Sequence, residues 1–216
     1  MTSGAFRHDT VVFDLGNVLV RWDRRLLYEQ LIDDPDELDR FLDEVLTLDV
    51  NADLDRGVPL GEVTAGLAAR HPGHAELIHA FHDRWPETLG EILHDTVEIL
   101  DELAGRVRLF ALSNWGRETF ELSRPRLPFL DRFDGMVISG REGVVKPEPE
   151  IWHILCERHS IDPGAAVFVD DSPANVAVAD ELGFTTVEFG SPDQLARELT
   201  ALGLLDENRT DENRER

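Results

Sequence analysis

Cysteine occurs once in these 216 residues, at Cys156, so no disulfide can close within the chain. It lies in IWHILCERH, where apolar residues recur at helical spacing, and it reads as a small core residue. Lysine also occurs once, as Lys146 in GVVKPEPE, while arginine occurs 20 times. Positive charge is scarce overall. Lys and Arg total 21 against 44 Asp and Glu, for a net charge of −23. Such a field repels nucleic acid and anionic membrane surfaces, so neither is expected as a partner. No run approaches the roughly 18 apolar residues of a membrane span. The opening MTSGAFRHDT lacks the apolar stretch of a secretory signal. These absences point to a reducing cytoplasm.

Hydrophobic residues make up 42% of the chain, too many for a disordered polymer and enough for a core. The end of the chain differs. DENRTDENRER repeats DENR without an apolar residue, so residues 206–216 are expected to form a disordered acidic tail. Codon bias can account for the rarity of lysine but not for the one that remains. Arginine is a wide planar fork and lysine a compact charge on a thin stem. A lone lysine therefore marks a place where a fork does not fit, and lysine's particular use is as a point charge on phosphate.

Short apolar runs recur at 10–13, 107–113, 135–139, 166–170 and 185–189, each bounded by turn or polar residues. They read as buried parallel strands. Helical patterns lie between the later ones: TVEILDEL, PEIWHILCERH and PANVAVADELG. In the last, Pro173 sits at a first helical position and Gly183 at a C-cap. Strand and helix in alternation give an α/β fold, a doubly wound parallel sheet. One interval breaks the pattern. Residues 24–88 read as helices throughout, including PDELDRFLDEVL after a capping Asp34, and form an all-helical cap inserted after the first strand. The core is then 9–23 plus 89–205, with a cleft expected between core and cap. His71, His74, His79 and His82 lie in the cap; an amphipathic helix face explains them better than a zinc site.

Ligands of open α/β sheets bind beyond the carboxyl ends of the strands. The first run ends in Asp14, the second in Ser113-Asn114, and the fourth in Asp170-Asp171; the segment after the third leads to Lys146. A carboxylate, a hydroxyl, an ammonium and a carboxylate pair thus fall on one edge. Three carboxylates brought together raise one another's pKa, and a hard divalent cation such as Mg²⁺ relieves this. Lys146 would hold Asp14 ionised and neutralise a phosphoryl oxygen. Ser113 and the backbone N–H groups after it would bind another. Asp14 would act as a carboxylate nucleophile.

This motif order resembles the haloacid dehalogenase superfamily, which also inserts a helical cap after its first motif. The resemblance runs from about residue 10 to 190. It implies Asp14 as nucleophile and metal ligand, Ser113 and Lys146 on the phosphoryl group, and Asn114 beside them. It also implies Asp171 as the main acidic metal ligand, on the spacing to Asn175, with Asp170 as a second. The family's phosphatases carry an acid/base Asp two residues after the nucleophile, where this chain has Gly16. The Gly16 carbonyl would still reach the metal, but the side-chain proton donor is missing. Asp23 is a candidate substitute. DLGNV resembles a subgroup that includes sugar-1-phosphate phosphatases with the same glycine. The expected activity is therefore Mg²⁺-dependent removal of phosphate from a small phosphorylated metabolite. The alternatives are a metal-free 2-haloacid dehalogenase, a phospho-receiver domain and a phosphate-binding pseudoenzyme. Receivers place the acidic pair first and lack a cap.

Overall fold

Five of the apolar runs pair into one parallel sheet in the computed structural model, which describes residues 8–206. The strands are β1 (Thr10–Phe13), β4 (Arg108–Ser113), β5 (Gly135–Ile138), β6 (Ala166–Asp170) and β7 (Thr185–Glu188), in the order β5-β4-β1-β6-β7. The short β2 (Val20–Trp22) and β3 (Leu89–Ile92) form a separate antiparallel pair. All four residues of β1 are buried, because the strand is central and covered on both faces. Its side chains alternate. Val11 and Phe13 pack on one face with Ile99, Leu100 and Leu195; Val12 packs on the other with Trp152, Leu155 and Phe168. Burying each such side chain stabilises by roughly 1.5–3 kcal/mol, so the sheet is a rigid platform.

Register sets the working edge. Phe13 lies beside Ala111 on one neighbour and Val169 on the other. The residues that follow, Asp14, Leu112-Ser113 and Asp170-Asp171, therefore emerge at one end of the sheet.

The cap holds α1 (Arg25–Tyr28), α2 (Pro35–Glu44), α3 (Leu48–Asp55), α4 (Leu60–Arg70) and α5 (Ala75–Asp83). It has its own apolar cluster running from Leu27 to Trp85. In α2, Pro35 follows Asp34, whose carboxylate accepts from Asp36 N and Glu37 N. Leu38, Phe41 and Leu42, at i, i+3 and i+4, are its buried face. β2 and β3 form the stem through which the chain leaves the core and returns, with Val20 opposite Ile92 and Trp22 opposite Leu89. Trp22 packs against both the cap cluster and a core cluster.

The remaining helices are α6 (His94–Leu103), α7 (Arg117–Ser123), α8 (Ser139–Glu142), α9 (Glu150–His159), α10 (Pro173–Glu181) and α11 (Pro192–Ala201). Pro173 opens α10, and Gly183 follows it with φ +94°. Cys156 is half-buried in α9 against a core cluster, and burial pushes its thiol up to about 11. The tail expected to be disordered lies outside the described residues beyond Asp206. Among the described residues, no helix is long and apolar enough to cross a membrane.

Candidate active site

The sheet edge brings together the four groups read from the sequence. Lys146 Nζ lies 3.0 Å from Asp14 Oδ1 and 2.6 Å from Asp170 Oδ2, with its side chain 1% exposed. Its backbone is clamped by Asn114: Nδ2 donates to the Lys146 carbonyl and Oδ1 accepts from the Lys146 N–H, both at 2.8 Å. The Asn114 amide thus fixes the lysine as well as lining the cleft. A guanidinium in this slot would meet Asp14, Asp170 and the Phe168 ring, whose centroid is 5.8 Å from Nζ.

Asp170 is wholly buried. Its Oδ1 accepts from Ser172 N at 2.9 Å and Asn175 Nδ2 at 3.0 Å, and its Oδ2 accepts from Lys146. Asn175 therefore serves Asp170. Asp171 is more exposed and lines the cleft, with the Asn17 side chain hydrogen-bonded to it. Asn17 is also a turn device. It holds φ +56°, which asparagine tolerates, and its Oδ1 accepts from Trp22 N at 3.0 Å. Asp14 Oδ1 accepts from Leu15 N at 2.7 Å, and the Ser113 side chain also hydrogen-bonds Asp14.

The cleft has a volume of about 170 Å³ and lies between core and cap. The core contributes Asp14, Gly16, Ser113 and Asp171. The cap and its stem contribute Trp22, Asn51, Asp55 and Trp85. Trp115 completes the wall, so three of the chain's four tryptophans lie here. The indole nitrogens of Trp22, Trp85 and Trp115 and the Asn51 Oδ1 are buried with no hydrogen-bond partner among the described residues. Arg24 is bonded to the Leu46 carbonyl and Arg25 to Asp39, away from the cleft lining. Asp23 is also elsewhere. It accepts from Arg25 N at 2.8 Å as the cap of a turn, and it does not line the cleft.

Two lining residues, Asn51 and Asp55, had not been anticipated. Both lie on α3, whose LDVNADLD lacks an amphipathic pattern, with Val50 and Leu54 its buried residues. The available signal was the pairing of Asn51 with Asp55 at i, i+4, which puts them on one helix face.

Charge is unbalanced. Burial raises Asp14; Lys146 opposes this, Asp170 adds to it, and the net value is about 6. Burial and then Asp14 raise Asp55 to about 7, against the pull of Lys146 and the Gly116 N–H. Burial and then Asp170 raise Asp171. Burial pulls Lys146 down, but Asp14 and Asp170 more than offset it. Asp14, Asp170 and Asp171 each offer an oxygen within 4.8 Å of the others. Hard oxygens with excess negative charge suit a divalent cation such as Mg²⁺. None of the cap histidines belongs to such a group among the described residues.

A family model described as haloacid dehalogenase-like hydrolase matches residues 8–183. A D-ribitol-5-phosphate phosphatase of Bacteroides thetaiotaomicron is 24% identical over 200 residues, covering 89% of this chain and 97% of that protein. A predicted HAD-like family hydrolase of Porphyromonas gingivalis superposes with TM-score 0.69 at 26% identity, covering 91% of this chain and 98% of the other. A HAD-family enzyme of Bacteroides thetaiotaomicron, crystallised with magnesium and inorganic phosphate, shares the fold with TM-score 0.65 at 23% identity, over 83% and 93% of the two chains. Matches to two longer relatives, acyl-CoA dehydrogenase family member 10 of Mus musculus and drimenol cyclase of Aspergillus calidoustus, span only 7% and 35% of those proteins.

Proposed function

Since the chain belongs to the haloacid dehalogenase-like hydrolases, we propose that it is a Mg²⁺-dependent phosphatase for a small phosphorylated metabolite. One observation carries the reading. A buried ammonium bridges two carboxylates at the sheet edge, while a third carboxylate faces the cleft beside them. In this reading Asp14 attacks phosphorus through a carboxylate oxygen and forms an aspartyl-phosphate, which water then hydrolyses. Lys146 and Ser113 neutralise phosphoryl oxygens as charge builds. Asp170 positions Lys146. Asp14, Asp171 and the Gly16 carbonyl would hold Mg²⁺, with Asp170 behind them; the ion would neutralise charge and orient the phosphoryl group. Asn51, a polar residue on the cap side of the cleft, would meet hydroxyl groups of the alcohol part, which favours a hydroxylated substrate. Kinship with a D-ribitol-5-phosphate phosphatase agrees with that class.

A 2-haloacid dehalogenase fits less well. Its substrate is a carboxylate and its product a halide, and three carboxylates repel both. The test is phosphate release from a panel of sugar, polyol and nucleotide monophosphates, with Mg²⁺ and with chelator. Release that requires Mg²⁺ is expected. Halide release from 2-chloropropionate without phosphate release would overturn the reading, as would phosphate binding with no turnover of any ester.

A further inference from the structure

Cleaving a phosphate ester of an alcohol leaves an alkoxide that needs a proton, and a positioned acid contributes typically 10²–10⁴-fold. The titratable residues that line the cleft are Asp14, Asp55 and Asp171. Asp14 is taken up by attack on phosphorus, and Asp171 by the cation. Gly16 has no side chain to offer, and a Cβ built there meets nothing within 4 Å, so the sheet edge leaves this space open. Asp55 remains, and it enters from the opposite wall at the last residue of α3.

Its placement is built, not incidental. The Gly116 N–H hydrogen-bonds its carboxylate. Around it, cap and core approach closely at two glycines. A Cβ at Gly57, which holds φ +90°, would lie 2.7 Å from the Gly140 carbonyl oxygen. A Cβ at Gly116, on the core side, would lie 3.1 Å from both Leu54 Cβ and Leu54 O. Beyond this seam, Glu118 Oε2 accepts from Leu60 N at 2.8 Å, and Arg56 pairs with Glu148. The close approaches at Gly57 and Gly116 and two polar contacts across the seam thus fix the end of α3 over the sheet edge.

We propose that Asp55, supplied by the cap, is the general acid and base of the reaction. This rests on the phosphatase reading above. As Asp14 attacks, the bond from phosphorus to the ester oxygen breaks; its electron pair stays on that oxygen, which takes the Asp55 proton and leaves as the alcohol. The Asp55 carboxylate then takes a proton from water as the water oxygen attacks phosphorus. The bond from phosphorus to Asp14 breaks, inorganic phosphate leaves, and Asp55 is protonated again.

The test compares Asp55→Asn with the unmutated chain on glycerol 3-phosphate and p-nitrophenyl phosphate in Mg²⁺. The nitrophenolate leaves without a proton, so only the alkyl ester needs the acid. kcat/KM reports steps through alcohol release alone. For the variant it should fall by roughly 10²–10⁴ on the alkyl ester and by less than about tenfold on the aryl ester. Hydrolysis of the aspartyl-phosphate, now without its base, should become limiting, so p-nitrophenyl phosphate should give a burst of nitrophenolate before slow turnover. Circular dichroism checks the fold; should Asp55→Asn not fold, Asp55→Ser carries the same expectation. Equal losses on both esters without a burst would overturn the role of Asp55 and leave the phosphatase reading intact. No hydrolysis of either ester by the unmutated chain would overturn both.

Discussion

Replacing Lys146 by methionine keeps most of the side-chain volume and removes the charge. In the metal-free protein this leaves Asp14 and Asp170 buried without their common cation, which now sits 3.0 and 2.6 Å from them. Breaking a buried pair from one side costs about 3–5 kcal/mol. At roughly 2–4 °C per kcal/mol for a chain of this size, Tm should fall by about 6–20 °C at pH 8. The pH dependence has a definite sign. The Lys146 pKa is raised in the fold, so its contribution is complete below its ordinary value of 10.5 and is fully present at pH 8. Asp14 is already lifted to about 6, and losing Lys146 lifts it further. Near pH 5 the variant can therefore take up a proton on Asp14, which recovers up to about 1.4 kcal/mol per pH unit below the folded pKa. The assay is a thermal melt in chelator at pH 5 and pH 8. The deficit should be large at pH 8 and smaller at pH 5. A deficit under about 2 °C at pH 8, or one independent of pH, would refute the claim that Lys146 is the counter-charge of a buried pair.

Lys146→Arg should cut kcat/KM by about 100-fold or more, since a displacement of about 1 Å at a reacting group has that effect; activity within a few-fold of the unmutated chain would show that a fork fits the slot. Asp55→Asn should stabilise the metal-free protein at pH 8 by on the order of 1–3 kcal/mol. The Asp55 pKa is raised to about 7 from 3.8, so its ionisation opposes folding as pH rises through that window, and the difference in melts should vanish near pH 4. Gly57→Ala should lower Tm and kcat/KM together, because its Cβ would press on the Gly140 carbonyl at a backbone angle that alanine resists. Unchanged melting and activity would mean the seam yields freely.

The edge chemistry was legible because strand ends are marked locally. VVFD, LFALSN and VFVDD each run apolar residues straight into polar ones, and a parallel sheet puts such junctions side by side. β2 and β3 were not legible. They hold three and four residues, are separated by the 66 residues 23–88, and pair only because the cap folds between them. α3 escaped for another reason. It buries only Val50 and Leu54, so its sequence carries little helical periodicity, and with it Asn51 and Asp55 were missed. The choice between Asp170 and Asp171 also needed coordinates. Only the hydrogen bonds of Lys146, Ser172 and Asn175 show that one carboxylate is enclosed while the other faces the cleft.

The most direct test of the phosphatase reading is to catch the phosphoryl group on the chain. The protein is mixed with a phosphate monoester and Mg²⁺, quenched in acid within the first turnover and digested, and its peptides are weighed. The peptide bearing Asp14 should gain the mass of one phosphoryl group, and hydroxylamine should remove it as it removes an acyl phosphate. Asp14→Asn should show neither the adduct nor phosphate release. Phosphate release by the unmutated chain with no such adduct, or sustained turnover in Asp14→Asn, would contradict Asp14 as the nucleophile.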